Sequence, residues 1–483
     1  MFDLLSDLRP VIVAALSALL ATVVSAHVVL NKRDVRAAAG WVGVVWFLPV
    51  FGSVLYALFG VNRIRRRGQM LRRLGMDLRP PIQDSRTDWK IVSEIVPTPQ
   101  GYLAGLARVV GRVTRRPLVA GNQITPLMNG DAAYPEMLER IDGAARSVAL
   151  STFIFDNDKV GRSFADSLGR AVKRGLEVRV LVDAAGSRYS WPPIMRELRR
   201  NRVRYARFMQ TVVPWRMPFL NLRSHRKLLI VDGEVGFTGG MNIREGHVLS
   251  ERPKRPVQDL QFRVEGPVVE HLMQVFSEDW AFSTKELLEG DAWFPELSDA
   301  GPVLARGISD GPDEDFDKAR ISMLGALATA QKEVTVVTPY FLPDKELISA
   351  LTIAAMRGVE VSILLPEVNN QVLVKWASTA LLWQVLQRGC RVFLTAPPFD
   401  HTKLMLVDGA WTLVGSANWD PRSLRLNFEF NIECYDDRLC SRMANLVQEK
   451  LAGAREITKA QVDGRSLPVQ LRDGVARLLS PYL

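Results

Sequence analysis

The stretch Ser224-His-Arg-Lys-Leu-Leu-Ile-Val-Asp-Gly-Glu-Val-Gly-Phe-Thr-Gly-Gly-Met-Asn242 reads as a strand, a turn and a return strand. His225 and Lys227 stand two apart at the head of the apolar run Leu228–Val231. Strand side chains alternate with period two, so these two polar groups point the same way. Asp232-Gly233 is a two-residue hairpin signal, and Val235–Thr238 suits the returning strand. Gly239-Gly240 permits close backbone approach, which can carry Asn242 back beside His225 and Lys227.

The pattern recurs. His401, Lys403, Asp408-Gly409, Gly415-Ser416 and Asn418 repeat it, and the His, Lys, Asp and Asn pairs all share the offset 401 − 225 = 176. One His-x-Lys arises easily on a solvated surface; two copies in one register, with Asp and Asn at matching offsets, do not. Of five histidines, two occupy these equivalent places. His247 and His271 read as a loop residue and a helix-face residue.

The repeat is wider than the histidine motifs. Ser147–Phe155 and Val178–Asp183 read as strands, with helices over Val160–Arg174 and Ile194–Asn201. In the second half Thr335–Phe341 and Val359–Leu365 read as strands around a helix Lys345–Met356. Such alternation predicts an α/β unit with a mostly parallel sheet in each half. Between the halves, Thr284–Asp317 is rich in Gly, Pro and acidic residues and reads as a linker.

At 483 residues the chain has room for two or three domains. Its formal charge of +10 favours an anionic partner. Cys390, Cys434 and Cys440 form an odd, scattered set without Cys-x-x-Cys, which argues against a disulfide framework or a zinc site. Pro10–Leu30 and Ala37–Asn62 carry no formal charge and are long enough for membrane helices, which need ~20 apolar residues. Lys32, Arg33, Asp34 and Arg36 form the turn between them, and Trp41 and Tyr56 lie near the ends of the second segment. Val24-Ser25-Ala26 resembles a signal-peptide cleavage site, but Asp3 and Asp7 against Arg9 make a poor n-region, so an uncleaved hairpin is the reading preferred. The run Arg63, Arg65, Arg66, Arg67, Arg72 and Arg73 then sets both termini on the cytoplasmic side, and it can also hold the following domain against anionic lipid. The stretch Val212–Leu220, which follows Arg199, Arg200, Arg202, Arg204 and Arg207, either dips into the headgroup layer or packs as core. Trp376 and Trp383 read as core.

Two imidazoles facing each other across a pseudo-twofold interface divide the work of phosphoryl transfer. One attacks phosphorus, and the other protonates the leaving group and then deprotonates its successor. Lys227, Lys403, Asn242 and Asn418 supply fixed charge and donors for nonbridging oxygens. The motifs hold no acidic cluster for Mg²⁺, so the chemistry calls for neither metal nor cofactor.

His-x-Lys-x-x-x-x-Asp followed by Gly-Gly/Ser-x-Asn, in two copies, resembles the phospholipase D superfamily over about residues 117–451. Tyr189-Ser190-Trp191-Pro192, Gly239-Gly240-Met241-Asn242-Ile243, Thr338-Pro339-Tyr340-Phe341 and Asn418-Trp419-Asp420-Pro421-Arg422-Ser423, together with the amino-terminal hairpin, resemble bacterial cardiolipin synthases within it. The resemblance implies two tandem pseudo-twofold-related phospholipase D-like α/β domains (117–283 and 318–483, the latter with C-terminal helices). A two-helix transmembrane hairpin (1–62), a basic juxtamembrane linker (63–116) and an inter-domain linker (284–317) complete the chain. It implies phosphatidyl transfer through a phosphohistidine, with His225 as nucleophile and His401 as general acid and base. Asp232 and Asp408 belong to the motif's catalytic set, although their place at a hairpin turn suits structural contacts better. A carboxylate after each motif is expected to orient that motif's histidine: Asp259 for His225 and Glu429 for His401. Phe399-Asp400, Thr402 and Trp419 depart from the family pattern and leave substrate choice open.

The substrate expected is an anionic phospholipid, phosphatidylglycerol, met at the bacterial inner membrane by a multi-pass protein with cytoplasmic catalytic domains. No nucleic acid partner is expected, and oligomeric state has no sequence signature here. Hydrolysis by a phospholipase D or a nuclease on the same two-histidine site is the alternative. A scaffold that only binds lipid is a third reading, and two complete histidine motifs weigh against it.

Overall fold

The computed structural model describes residues 2–32, 35–60, 98–208, 223–312 and 317–480. The arginine run Arg63–Arg73 and the segment 212–220 lie outside them, as does most of the stretch read as a juxtamembrane linker. The chain divides into two compact units, one N-terminal and one holding the described residues from 98 onward.

In the second unit the two Asp-Gly turns organise everything around them. Asp232 and Gly233 take φ of 55° and 71°, a left-handed conformation natural to this pair. Glu234 N–H closes the turn on the Val231 carbonyl at 3.0 Å. Leu228–Val231 therefore runs antiparallel to Val235–Gly239. Asp408 and Gly409 repeat the turn with φ of 53° and 68°, pairing Leu404–Val407 with Trp411–Gly415. All four strands are almost wholly buried, which is why they read as continuous apolar runs rather than alternating ones.

Outside each hairpin lies a parallel βα unit. Ser147–Thr152, Glu177–Asp183 and Tyr205–Phe208 are parallel neighbours in the first half. Glu333–Val337, Glu360–Pro366 and Arg391–Thr395 are their counterparts in the second. The helices Lys159–Lys173 and Lys345–Met356 start alike. Asp158 accepts from Gly161 N–H at 2.8 Å and Asp344 from Leu347 N–H at 3.0 Å, each capping the first turn.

Three expectations need correction. Along the main path of the sheet, parallel pairing is confined to these flanks. The centre, through Val235–Gly239, Leu260–Glu265, Val119–Met128, Val303–Asp310, Asn427–Tyr435 and Trp411–Gly415, is antiparallel. Parallel neighbours need a crossover, usually helical, whereas tight turns yield antiparallel ones. The stretch 284–317 is also more than a linker: Val303–Asp310 is a fully buried strand that joins the two halves into one sheet. Likewise, helix Ala104–Thr114, within the stretch read as juxtamembrane linker, places Leu106, Ala107 and Val110 in the core of the second half.

The N-terminal unit also departs from expectation. Helix Phe2–Asn31 contains the span Pro10–Asn31, and among the described residues it is the one helix long and apolar enough to cross a bilayer. The second apolar segment is not one straight helix long enough to cross a bilayer. It forms helix Val35–Phe47, bends at Leu48 and continues as Pro49–Leu55 with a π-helical turn Tyr56–Gly60. Proline cannot donate the helical hydrogen bond and clashes with the preceding turn. Trp41 and Tyr56, which a straight helix would hold about 22 Å apart, meet edge-on at 5.4 Å. Gly52 allows the fold-back, since a Cβ there would lie 2.6 Å from the Val44 carbonyl oxygen. Tyr56 also reaches the His27 ring of the first helix at 2.9 Å. The bend leaves Trp46, Phe47, Leu48, Val50 and Phe51 exposed at its tip.

Candidate active site

Each catalytic-motif histidine is seated on a strand of the other half. The two-residue strand Arg223–Ser224 runs parallel to Asn427–Phe428, and His225 N–H donates to the Phe428 carbonyl at 2.8 Å. Phe399–Asp400 runs parallel to Val257–Gln258, and His401 N–H donates to the Gln258 carbonyl at 2.8 Å. The residue after each receiving pair is a carboxylate. His225 Nδ1 lies 3.0 Å from Glu429 Oε2, and His401 Nδ1 lies 2.7 Å from Asp259 Oδ2. The histidine–carboxylate pairs are therefore crossed, not within each half as the sequence led us to expect. The reason is the strand addition itself: it brings each histidine beside the opposite half's carboxylate.

The remaining polar groups follow from local geometry. Lys227 Nζ donates to the His225 carbonyl at 2.6 Å and Lys403 Nζ to the His401 carbonyl at 2.5 Å, the same-face relation that extended backbone imposes at two residues' spacing. Arg226 points the other way and is buried on Asp279 at 2.6 Å. His225, His401, Asn242 and Asn418 line one cavity of about 430 Å³. Asn242 Oδ1 accepts from Ile154 N–H at 3.0 Å, and Asn418 Nδ2 donates to Ser423 Oγ at 3.0 Å. Gly239 and Gly415 take φ of 155° and 154°, and a Cβ on either would stand 2.4–2.5 Å from a neighbouring strand's carbonyl.

Asp232 and Asp408 do not join this group. Asp232 accepts from the N–H groups of Ala145, Arg146 and Ser147 at 2.7–2.9 Å. Asp408 accepts from Gln331, Lys332 and Glu333 at 2.7–2.8 Å. Each stands seven residues beyond its histidine along extended chain, roughly 20 Å away. Their contacts tie the hairpin turn to the start of the adjacent strand.

Burial sets the site's electrostatics. It lowers the affinity of both imidazoles for a second proton, and the lysine charges lower it further. Burial also brings Lys227 down to about 7 and Lys403 to about 8. The two carboxylates diverge. Glu429 is held below its ordinary value despite burial, because His225 and Lys227 face it and Ser416 Oγ donates to it. Asp259 is pushed up to about 6 by burial, only partly offset by Lys403 and the Leu260 N–H. The first half has Gly240 where Ser416 stands, and a Cβ on Gly240 would lie 2.3 Å from Asp259 Oδ1. The hydroxyl that steadies Glu429 thus has no counterpart beside Asp259.

Arg223, Arg244 and Arg422 also line the cavity, and the sequence reading assigned them no role. Arg223 directly precedes the motif and Arg422 falls in a quoted match; Arg244 follows Asn242 by two, a faint signal. His247, read as a loop residue, is buried in the cavity wall, and burial lowers its pKa to about 3. His271 is a core residue that accepts from Gly307 N–H at 3.1 Å.

A family model described as cardiolipin synthase, phospholipase D-like domain matches residues 137–280 and 323–451, and one described as phospholipase D-nuclease N-terminal matches residues 19–60. Cardiolipin synthase A of Pseudomonas fluorescens strain Pf-5 is 31% identical over 471 residues, covering 97% of each chain. The like-named protein of strain SBW25 is 30% identical over 466 residues, covering 96% of each. In fold, a phosphatidylserine synthase of Haemophilus influenzae Rd KW20 superposes over 78% of this chain and all of its own, with a TM-score of 0.61 at 15% identity.

Proposed function

The chain belongs to the cardiolipin synthase family with phospholipase D-like domains, and from that premise we propose that it joins two phosphatidylglycerol molecules into cardiolipin and releases glycerol. It is a phosphatidyltransferase of the phospholipase D superfamily. The observation that carries the finer reading is the crossed pairing, in which each imidazole has Nδ1 engaged and Nε2 left for a shared cavity.

The unequal carboxylates support a division of labour, since pairs whose proton affinities are pushed apart sort into acid and base roles. Glu429 stays ionised, takes the Nδ1 proton of His225 in a hydrogen bond and leaves Nε2 with a lone pair. The Asp259–His401 pair retains an extra proton more readily, which places an N–H at His401 Nε2. His225 Nε2 attacks phosphorus; the P–N bond forms as the P–O bond to glycerol breaks, and His401 protonates the departing oxygen. A hydroxyl of the second phosphatidylglycerol then returns its proton to His401 as its oxygen displaces His225. Lys227, Lys403, Asn242 and Asn418 hold the nonbridging oxygens.

The protein is membrane-associated. We place its catalytic part on the cytoplasmic side of the bacterial inner membrane. Lys32, Arg33 and Arg36 at the start of the folded-back pair, and Arg63–Arg73 after it, support that side. A pair that bends at Leu48 leaves the bilayer on the side where it entered, so both basic groups share a side and the amino terminus lies across the membrane. This replaces the expectation of two cytoplasmic termini.

The test is purified protein on phosphatidylglycerol vesicles with lipid analysis. Wild type yields cardiolipin and glycerol, and His225→Ala yields neither. Phosphatidic acid as the sole product would establish hydrolysis instead.

A further inference from the structure

Helix Leu467–Leu478 near the carboxyl end has one satisfied face and one that water solvates poorly. Its inner face buries Asp473 and Ala476. Ala476 packs with Leu342, Val374 and Ala377, so the helix lies on Val372–Thr379. Arg472 stacks 4.3 Å from the Trp376 ring, and Asp473 is held by Arg465 and Arg472. On the outer face Leu467, Leu471, Val475 and Leu478, spaced four, four and three apart, form a single stripe with each side chain 61–73% exposed. At 100° per residue, Arg472 and Arg477 flank this stripe on its two sides.

We propose that this helix lies in the bilayer surface and holds the mouth of the phosphatidyl site against its lipid, an inference that rests on the lipid-substrate reading above. An aliphatic stripe edged by arginines is the make-up of a helix lying at headgroup level. The helix carrying the stripe borders the site, since Ala476 on its inner face packs with Val374, which lines the cavity. Helix Val372–Thr379 beneath it exposes Val372 and Leu373, while Val374, Asn370 and Gln371 line the cavity. The other half's side of the mouth repeats the character: Tyr189 lines the cavity and Trp191 is 87% exposed. An indole gains most at a membrane interface, where its ring is dry and its N–H wet. Both halves thus contribute apolar groups beside a cavity lined by Arg223, Arg244 and Arg422. A protein laid across both would close the cavity to its substrate; a bilayer laid across both delivers the substrate to it.

The test uses the full chain in phosphatidylglycerol–phosphatidylcholine vesicles, with an environment-sensitive fluorophore on Leu471→Cys; the native cysteines are buried. Blue-shifted emission quenched by spin-labelled lipid is expected. Emission typical of water, or a blue shift that lipid quenchers leave untouched while protein concentration controls it, overturns the proposal, the latter in favour of contact with a second copy. In parallel, Leu471→Asp with Val475→Asp should lower turnover of vesicle phosphatidylglycerol about tenfold and spare turnover of a monodisperse short-chain donor. Equal loss on both donors also overturns it. The probe reads position without chemistry, so lipid quenching in a protein that makes no lipid product would sink the functional reading alone.

Discussion

His225 and His401 occupy equivalent backbone frames, but the carboxylates behind them differ in length, in neighbours and in proton affinity. Beyond its histidine, Glu429 is hydrogen-bonded by Ser416 and Asn427, whereas Asp259 has its own Leu260 N–H. This asymmetry predicts opposite defects. Glu429→Gln should slow phosphohistidine formation ~10²-fold with any donor, because His225 loses the anion that raises its nucleophilicity. Asp259→Asn should be as slow only with an alcohol leaving group, and near wild type with a phosphatidyl nitrophenol that leaves unprotonated. The pH profile has a matching sign. The general acid works while the Asp259–His401 pair holds its extra proton, so kcat/KM with phosphatidylglycerol should fall as pH rises through about 6. With the nitrophenyl donor that limb should move up to the region of Lys227 and Lys403, about 7 to 8. An unchanged limb with the nitrophenyl donor would refute the assignment. The sequence made the His, Lys and Asn candidates legible because their spacing is local. It could not say which carboxylate serves which ring, because Asp259 follows His225 by 259 − 225 = 34 residues and Glu429 follows His401 by 429 − 401 = 28, separations that local geometry does not span.

Among the elements, the folded-back pair Val35–Phe47 and Pro49–Gly60 has the largest consequence. Composition alone allowed a straight 26-residue span over Ala37–Asn62. What bends it is Pro49 at a point where Gly52 permits backbone against backbone, and Tyr56 then packs on both Trp41 and His27. The helix before the bend is about 20 Å long, too short to cross the ≈ 30 Å hydrocarbon core. A tag placed ahead of Met1 should therefore be cut by protease added to intact spheroplasts. Protection of that tag until the membrane is breached would restore the two-span hairpin. Pattern reading finds apolar length well, and it cannot tell a proline that a membrane helix tolerates from one that turns the chain back.

At the scale of the molecule, Val303–Asp310 makes two halves into one sheet, and its Arg306 ties that strand to the second half. Arg306 Nε lies 2.7 Å from Glu433 Oε1 with both side chains fully buried. Its other nitrogens donate to the Arg116 and Ala107 carbonyls, and Trp411 and Tyr435 donate to Glu433. A buried pair is costly to break by halves, since the surviving charge has no partner. Arg306→Met should thus destabilise the folded protein by about 3–5 kcal/mol, read from denaturant unfolding in detergent. Adding Glu433→Leu should recover much of the loss, with non-additivity that reports the coupling. Additive losses would show that the pair is not the tie described here.

The amino-acid sequence by itself determined the repeat, the Asp-Gly hairpins, the βα flanks and the list of candidate groups for binding phosphate. Each of these depends on periodicity or turn preference within a few residues, where backbone sterics decide. Only the tertiary structure decided that the carboxylates cross between halves, that a presumed linker is a central strand, that Pro49 folds a membrane segment back, and that an aliphatic stripe borders the site. Those outcomes depend on which distant strands and helices find each other, and pairing of that kind is chosen by total burial and hydrogen bonding across the chain rather than by any local run of residues.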